Sequence, residues 1–208
     1  MTEPDENPER AALEKKIRAS CDAKQLERAA TDAVEGYGPE ILRYLLSLTR
    51  DEVAAGEVFS QFCENLWVGL PKFRWDSSFR IWAYSLARHA WFRLLRDPHR
   101  KRERRVPLSD MPSVHEAANA VRSRTATYLR TEVKDKIAEL RAKLDPDDQS
   151  LLILRINRKL AWSEIARVLA DPDEEITAKE LEKRAAALRK RFQRIKDDLR
   201  AQVGKDGD

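Results

Sequence analysis

The feature that most constrains the fold is an apolar repeat of helical period. Its longest run steps by three and four residues without a fault, through Leu181, Ala185, Leu188, Phe192, Ile195 and Leu199. This spacing keeps all six side chains on one side of an α-helix. No stretch shows the sustained alternation that is typical of a β-strand, and the 208 residues include only 6 glycines. The sequence therefore predicts an all-α protein.

Four helices are predicted before residue 97. A thin apolar stripe runs through residues 11–34, and the sequence GYGP at 36–39 then predicts a break, with Pro39 starting a new helix. Asp51 is a suitable N-cap for the third helix, which Pro71 ends. Asp76 or Ser77 is expected to cap the fourth helix, and Pro98 ends it.

The chain divides into two small helical domains, 22–97 and 128–201. Between them, residues 98–127 contain three prolines and the basic run RKRERR at 100–105, which is typical of an extended linker. Residues 1–21 are interpreted as a partly disordered N-terminal extension, and residues 202–208 as a tail.

Composition excludes several classes of protein. Lys and Arg number 40 against 36 Asp and Glu, and a net charge of +4 is too small to establish a nucleic-acid partner by itself. Cys21 and Cys63 lack metal-ligand spacing, so free thiols are expected, without a metal or cofactor. The sequence shows no catalytic motif, so we do not expect an enzyme. With no apolar run of membrane-spanning length and an acidic N-terminus, we expect a cytoplasmic protein without membrane insertion.

The second domain has the outline of a helix-turn-helix unit. Asp145-Pro146 opens one short helix, LAWSEIARVLAD contains another, and Thr177 with Glu180 forms a capping box for a long basic helix. Such a helix could enter the major groove of DNA. The pattern alone leaves open an ordinary three-helix bundle with a solvated basic face.

The stretch KFRWDSSFRIWAYSLARHAWFRLLRD at 72–97 combines three of the five tryptophans with five arginines. Its helical period places one set of side chains in the core: Phe79, Trp82, Ala83, Leu86, Ala90 and Leu94. The remaining rings and cations are expected at an accessible surface: Trp75, Arg80, Arg88, His89, Trp91, Arg93 and Arg96. Bases stack on rings while arginines follow phosphates, so the set favours a single-stranded nucleic acid. The alternative is that the tryptophans pack against neighbouring helices while the arginines are merely solvated.

Three segments resemble the extracytoplasmic-function (ECF) sigma factors of bacterial RNA polymerase. FRWDSSFRIWAYSLARHAWFRLLRDPHRKR is similar to the family's region 2, and the preceding EVFSQFCENLWVGLPKF is similar to its polymerase-binding helix. LDPDDQSLLILRINRKLAWSEIARVL resembles region 4, which contains a helix-turn-helix. The similar segments follow the family's order and are joined by a linker of suitable type.

The resemblance implies a promoter-specificity factor that helps to melt DNA and start transcription. It implies core RNA polymerase, through the β and β′ subunits, and promoter DNA as partners, with nucleoid association when bound to polymerase. An anti-sigma factor is a further candidate partner, although no residue indicates one.

The resemblance also implies three sets of site residues. The melted −10 strand would meet Arg74, Trp75, Asp76, Ser77, Ser78, Arg80, Arg88, His89, Trp91, Arg93 and Arg96. The duplex −35 element would meet Ser163, Thr177, Lys179, Lys183, Arg184, Ala187, Lys190 and Arg191. Polymerase would meet Glu57, Gln61, Glu64, Asn65 and Trp67.

The register of the −35 residues and the class of regulator both remain open. The turn ADPDEEITAKE before the last helix is longer and more acidic than is usual in the family, so the register of the −35 residues is not fixed. A dimeric helix-turn-helix regulator that does not bind polymerase is the other reading. It leaves the polymerase-binding helix and the aromatic, arginine-rich helix unexplained.

Overall fold

The computed structural model describes residues 7–96, 110–129, 143–171 and 174–205. These residues contain no β-strand, which confirms the all-α prediction. The chain divides into two compact units, Met1–Thr131 and Glu132–Asp208. The helices of unit 1 are α1 (Pro8–Asp22), α2 (Leu26–Thr49), α3 (Glu52–Gly69), α4 (Phe79–Arg96) and α5 (Pro112–Leu129), with a short 3-10 turn at Leu70–Lys72. Those of unit 2 are α6 (Pro146–Leu152), α7 (Trp162–Leu169) and α8 (Ala178–Lys205), with a π-helical turn at Ile153–Asn157.

Side-chain caps fix several helix starts. The Asp51 carboxylate accepts a 2.7 Å hydrogen bond from the backbone N–H of Ala54, as the sequence predicts. The hydroxyl of Thr177 accepts one from the N–H of Glu180 at 3.2 Å. At α4 the prediction of Asp76 or Ser77 as the cap is wrong, because the hydroxyl of Ser78 accepts from the N–H of Ile81.

Helix α2 runs through the sequence GYGP, so the predicted break at 36–39 is wrong. Pro39 lies inside the helix, where its missing N–H removes one backbone hydrogen bond. The buried side chains of Tyr37, Ile41 and Tyr44 on either side pack into the unit 1 core. We infer that this packing outweighs the local cost of the proline.

Residues 8–21, interpreted from the sequence as part of an extension, instead form most of α1. The Asn7 side chain caps this helix by accepting from the N–H of Glu9, and Pro8 occupies its first turn. Ile17 is completely buried and the Lys16 ammonium donates to Asp32 on α2 at 2.8 Å. The helix is thus part of the folded unit, while residues 1–6 lie outside the described residues.

The predicted linker is likewise wrong over its second half, because residues 112–129 form α5. Val114, Ala117, Ala118 and Val121 are buried at steps of three and four, and α5 packs against α2 and α3. Gly38 on α2 allows close approach of the Val121 side chain. The basic run at 100–105 lies outside the described residues.

In unit 2, α7 packs against α8, and α6 also contacts α8. The rings of Trp162 and Phe192 meet edge to face with centroids 5.3 Å apart. On the predicted apolar stripe of α8, Ile195 is buried and the other five residues are partly exposed. The Arg155 guanidinium donates to the carbonyl of Leu160 at 2.7 Å, which closes the turn between α6 and α7.

Replacing Gly38 with alanine tests the contact between α2 and α5. A Cβ atom at position 38 would lie 3.1 Å from Cγ2 of Val121 and 3.2 Å from Cζ of Phe59. We expect Gly38→Ala to destabilise unit 1, and to do so less in a Val121→Ala background. Urea denaturation of the four proteins should give a coupling energy of about 0.5–3 kcal/mol.

Gly56→Ala is the matched control, because a Cβ atom there would meet only Cδ of Arg122, at 3.9 Å. Alanine has the higher helix propensity, so this change should stabilise the protein by about 0.5–1 kcal/mol. The double-mutant cycle removes the separate effect of placing alanine before Pro39. Zero coupling between positions 38 and 121 would contradict the packing of α5 on α2.

Candidate nucleic-acid and polymerase interfaces

The loop between the 3-10 turn and α4 carries an aromatic cluster. The Phe73 ring stacks on Trp82 with centroids 4.5 Å apart, and Trp75 lies 4.8 Å from Phe73 and 6.1 Å from Phe79. Phe79 and Trp82 are buried, as the helical period predicts, while Phe73 and Trp75 are partly exposed. The cluster therefore joins the core of unit 1 to its surface.

Trp75 adopts a left-handed backbone conformation with φ of 61°, which is uncommon for a residue other than glycine. Beside it, the exposed Arg74 donates to the Asp76 carboxylate at 2.9 Å. Ser77 and Ser78 are partly exposed. The loop thus presents rings, hydroxyls and one ion pair along a short stretch of backbone.

The expectation that Arg80 is accessible is wrong. Its side chain is buried and its guanidinium binds the Glu40 carboxylate on α2, with Nε 3.2 Å from both oxygens. The Tyr84 hydroxyl donates to the same carboxylate at 2.8 Å, and Arg10 of α1 lies 3.9 Å away. Burial alone would raise the pKa of Glu40. The hydrogen bonds and charge of Arg80, with Tyr84 and Arg10, outweigh burial and hold that pKa below its ordinary value.

Arg88 and Trp91 also differ from the prediction, since both are buried. The Arg88 guanidinium lies 4.3 Å from the centroid of the Phe92 ring, and Trp91 meets the same ring edge to face at 5.1 Å. The helical period predicts a single apolar stripe on α4, but the helix packs against both α2 and α3. Both residues consequently serve packing.

The rest of the predicted −10 set is accessible. His89 is partly exposed, with Nδ1 3.1 Å from the carbonyl of Ser85, and Arg93 and Arg96 are exposed in the last turns of α4. These three residues and the loop remain available to a partner.

On α3, the residues predicted to bind polymerase differ in exposure. Glu57 is exposed, and Gln61, Asn65 and Trp67 are partly exposed. Glu64 is buried, and its carboxylate accepts from the Gln61 amide at 3.1 Å. The same amide donates to Asn65 at 3.2 Å. Glu64 therefore orients Gln61 from below the surface.

In unit 2, most of the predicted −35 residues are exposed: Ser163, Thr177, Lys179, Lys183, Ala187 and Lys190. Arg184 is an exception, because its guanidinium makes two hydrogen bonds to Glu174, at 2.5 and 3.0 Å, and one to Glu180 at 3.0 Å. The hydrogen bonds to these two carboxylates raise the pKa of Arg184, and the bond from Arg184 lowers the pKa of Glu174.

Arg191 is the other exception. It binds the carboxylate of Asp148 and lies 3.5 Å from that of Asp145, the N-cap of α6. This contact ties α8 to the start of α6, which gives Arg191 a structural role in unit 2.

Burial raises the pKa of the Cys63 thiol to about 12, and burial followed by the charge of Asp22 raises that of Cys21. In the described part of the chain, no group of His, Cys, Asp and Glu could hold a metal ion. Across the same residues, no helix is both long and apolar enough to cross a membrane.

Sequence reasoning missed three side chains that shape these surfaces. Arg18 of α1 lies over the Trp75 ring, 5.3 Å from its centroid. Glu40 lies 40 residues before Arg80 and pairs with its guanidinium, and Glu174 pairs with the guanidinium of Arg184. Of the three, only Glu174 had a signal in the sequence, because the acidic turn that contains it directly precedes the basic last helix.

Comparison with known proteins agrees with this architecture. The family described as Sigma-70 region 2 matches residues 33–102, which include most of α2, all of α3 and α4, and the aromatic loop between them. The RNA polymerase sigma factor YlaC of Bacillus subtilis (strain 168) is 28% identical over 139 residues, which are 66% of this chain and 78% of YlaC. Together, the region 2 match and the similarity to YlaC support an ECF sigma factor. The resemblance stated from sequence is thereby confirmed.

The two matches support a sigma-factor role in transcription initiation, and that family implies core RNA polymerase and promoter DNA as partners. Sigma factors are initiation factors rather than enzymes. The matched segment contains both the candidate −10 loop and the candidate polymerase-binding helix.

The partly buried carboxylate of Glu40 makes the stability of this protein depend on pH. Its folded-state pKa lies below its ordinary value, so its contribution is complete above the unfolded pKa, about 4.3. That contribution is lost as the pH falls through the folded pKa. We expect Glu40→Gln to cost about 3–5 kcal/mol near neutral pH, because Arg80 stays buried without its counter-charge. The loss of stability on acidification should be smaller in the variant than in wild type.

Urea denaturation at several pH values between neutral and acid measures both effects. Glu35→Gln is the control, since Glu35 is exposed on the same helix. Stability profiles of wild type and Glu40→Gln that run parallel as the pH falls would refute this account.

Proposed function

We propose that this sigma factor recognises its promoter through two surfaces and docks on polymerase through a third. The loop at 73–78 and the exposed end of α4 bind the melted −10 strand. The N-terminal half of α8 binds the −35 duplex, and α3 binds core polymerase. The observation that carries the proposal is the partly exposed aromatic loop, which lies inside the segment matched by sigma-70 region 2.

The loop suits an opened strand for two reasons. Its rings are held by the core, since Phe73 stacks on the buried Trp82, so binding need not order them. Taking a base out of the duplex costs a few kcal/mol, and stacking on an aromatic side chain contributes about 1–3 kcal/mol per base. His89, Arg93 and Arg96 supply further polar and charged contacts, whereas Arg80, Arg88 and Trp91 act by holding α4.

The N-terminal half of α8 suits a major groove. Lys179, Lys183, Ala187 and Lys190 are exposed, while the helix packs on α7 through other residues. Lysines at these positions can reach phosphates, and the small Ala187 permits close approach to base edges. Because Arg184 is engaged by two carboxylates, its contact with DNA requires that these bonds be broken.

For polymerase docking we propose Glu57, Gln61, Asn65 and Trp67, with the clamp helices of the β′ subunit as their partner. Gln61 is oriented by Glu64 and Asn65, which reduces the entropy lost on binding. Glu64 is assigned to that orienting role and not to direct contact.

Run-off transcription with purified core polymerase on a library of random promoter sequences tests the proposal. We expect initiation from a limited set of related sequences, together with binding of the protein to core polymerase in the absence of DNA. If the protein neither binds core nor directs initiation, the proposal fails. A stable dimer that shifts free duplex DNA would instead indicate a helix-turn-helix regulator.

Glu174 is expected to weaken −35 binding by competing with DNA for Arg184. Glu174→Gln should raise affinity for the −35 duplex about twofold to fivefold, the range expected from a surface ion pair. If the released guanidinium reaches a phosphate, the slope of log affinity against log salt should steepen by about 0.9. Fluorescence anisotropy of the holoenzyme with a −35 duplex from the selected promoter, titrated at several salt concentrations, measures both quantities.

Glu182→Gln makes the same change of charge on α8. Glu182 is exposed and lies two residues from Arg184, so it projects toward a different side of the helix. An equal gain in affinity from both variants would show a general effect of charge and contradict the competition.

A further inference from the structure

Arg18 lies where α1 meets the candidate −10 loop, and neither the resemblance nor the family match assigns it a role. Its guanidinium is 5.3 Å from the centroid of the partly exposed Trp75 ring, and Arg18 itself is exposed. We propose that Arg18 binds a backbone phosphate of the melted −10 strand at the nucleotide that approaches Trp75. The inference rests on the −10 role proposed above for the loop.

Helix α1 fixes the position of Arg18 through contacts on two other helices. One turn before Arg18, the Glu14 carboxylate accepts a hydrogen bond from the backbone N–H of Arg80, in the first turn of α4, at 3.2 Å. Ile17 is completely buried beside it, and Lys16 binds Asp32 on α2 at 2.8 Å. Because α1 is anchored at the start of α4, its exposed side chain at position 18 stays next to the loop.

The contact with Trp75 determines what Arg18 can offer to a strand. A guanidinium over an indole ring is attracted by the electrons of the ring, which favours one orientation of a long side chain. Its N–H groups at the rim remain suited to phosphate, which Arg binds with two parallel hydrogen bonds. A base that approaches Trp75 from the side of Arg18 thus brings its phosphate toward a positioned cation.

The charges around the loop favour Arg18 over Arg74 as the residue that binds a phosphate. Arg74 binds Asp76 at 2.9 Å, so its charge is compensated within the loop. Arg80 is buried on Glu40. Among the arginines at this loop, Arg18 is the exposed one whose described contact is a ring and not a carboxylate.

The test compares Arg18→Gln, Arg18→Lys and wild type as holoenzymes. The probe is a fork-junction DNA made from the promoter selected by transcription, single-stranded through the −10 element. We expect Arg18→Gln to lower affinity about tenfold at low salt, as for loss of a hydrogen bond between charged groups. The slope of log affinity against log salt should become shallower by about 0.7, the value for one phosphate of a single strand. Arg18→Lys should keep the slope of wild type.

Lys15→Gln is the matched control, because Lys15 is an exposed cation one turn before Arg18 on the same helix, whereas the contact with the Trp75 ring is made by Arg18. It should match wild type in both affinity and slope. If Arg18→Gln behaves as Lys15→Gln does, the inference fails. A loss of affinity without a change of slope would also overturn it, since Arg18 would then act only by positioning Trp75.

The assay separates failure of this inference from failure of the proposed function. If wild-type holoenzyme does not prefer the fork-junction probe over a fully duplex one, the −10 role of the loop is itself wrong, and the inference falls with it. If wild type prefers the fork but the Arg18 variants do not differ from the control, only the inference fails. A duplex carrying the −35 element alone should be bound equally by all four proteins, and a general loss of binding by Arg18→Gln there would contradict a local contact.

Discussion

The contact between Glu40 and Arg80 joins the elements on which the candidate −10 surface depends. It links the middle of α2 to the first turn of α4, and Tyr84 and Arg10 reach the same carboxylate from α4 and α1. A buried ion pair is costly unless its remaining hydrogen-bonding groups are satisfied, and these neighbours help to satisfy them. Since the aromatic loop leads directly into α4, fixing the start of that helix also fixes where the loop emerges.

The sequence predicted those features whose determinants are local. The stripe through Phe79 and Trp82 and the caps at Asp51 and Thr177 depend on neighbours within a few residues, and the structure agrees. The prediction of accessible side chains was wrong for Arg80, Arg88 and Trp91. A helical period assigns one buried face to a helix, whereas α4 packs against both α2 and α3. Their partners, such as Glu40, lie far away along the chain and leave no mark on local spacing.

Two other errors have a common physical cause. Local propensity predicts a break at 36–39 with Pro39 in the first turn of a new helix, and it predicts a linker from the prolines before α5. At Pro39 tertiary packing of the surrounding helix overrides that propensity. In α5 the buried positions are Val114, Ala117, Ala118 and Val121, which have the right spacing but small side chains. Small residues suit a helix that packs closely, as Gly38 shows on the facing helix, yet they give a weak apolar signal.

The distribution of charge matters more than its sum. Three of the arginines predicted to bind DNA pair with carboxylates of the protein itself. Arg80 pairs with Glu40, Arg184 with Glu174, and Arg191 with Asp148 at the start of α6. Each pairing removes a cation from the surface available to phosphates or adds a cost to its release. If the two surfaces bind DNA as proposed, their affinity comes from a few remaining cations together with rings and hydroxyls that are already held in place. A surface of this composition gains less from general attraction to DNA and more from the fit of a particular strand, which is the property that promoter selection requires.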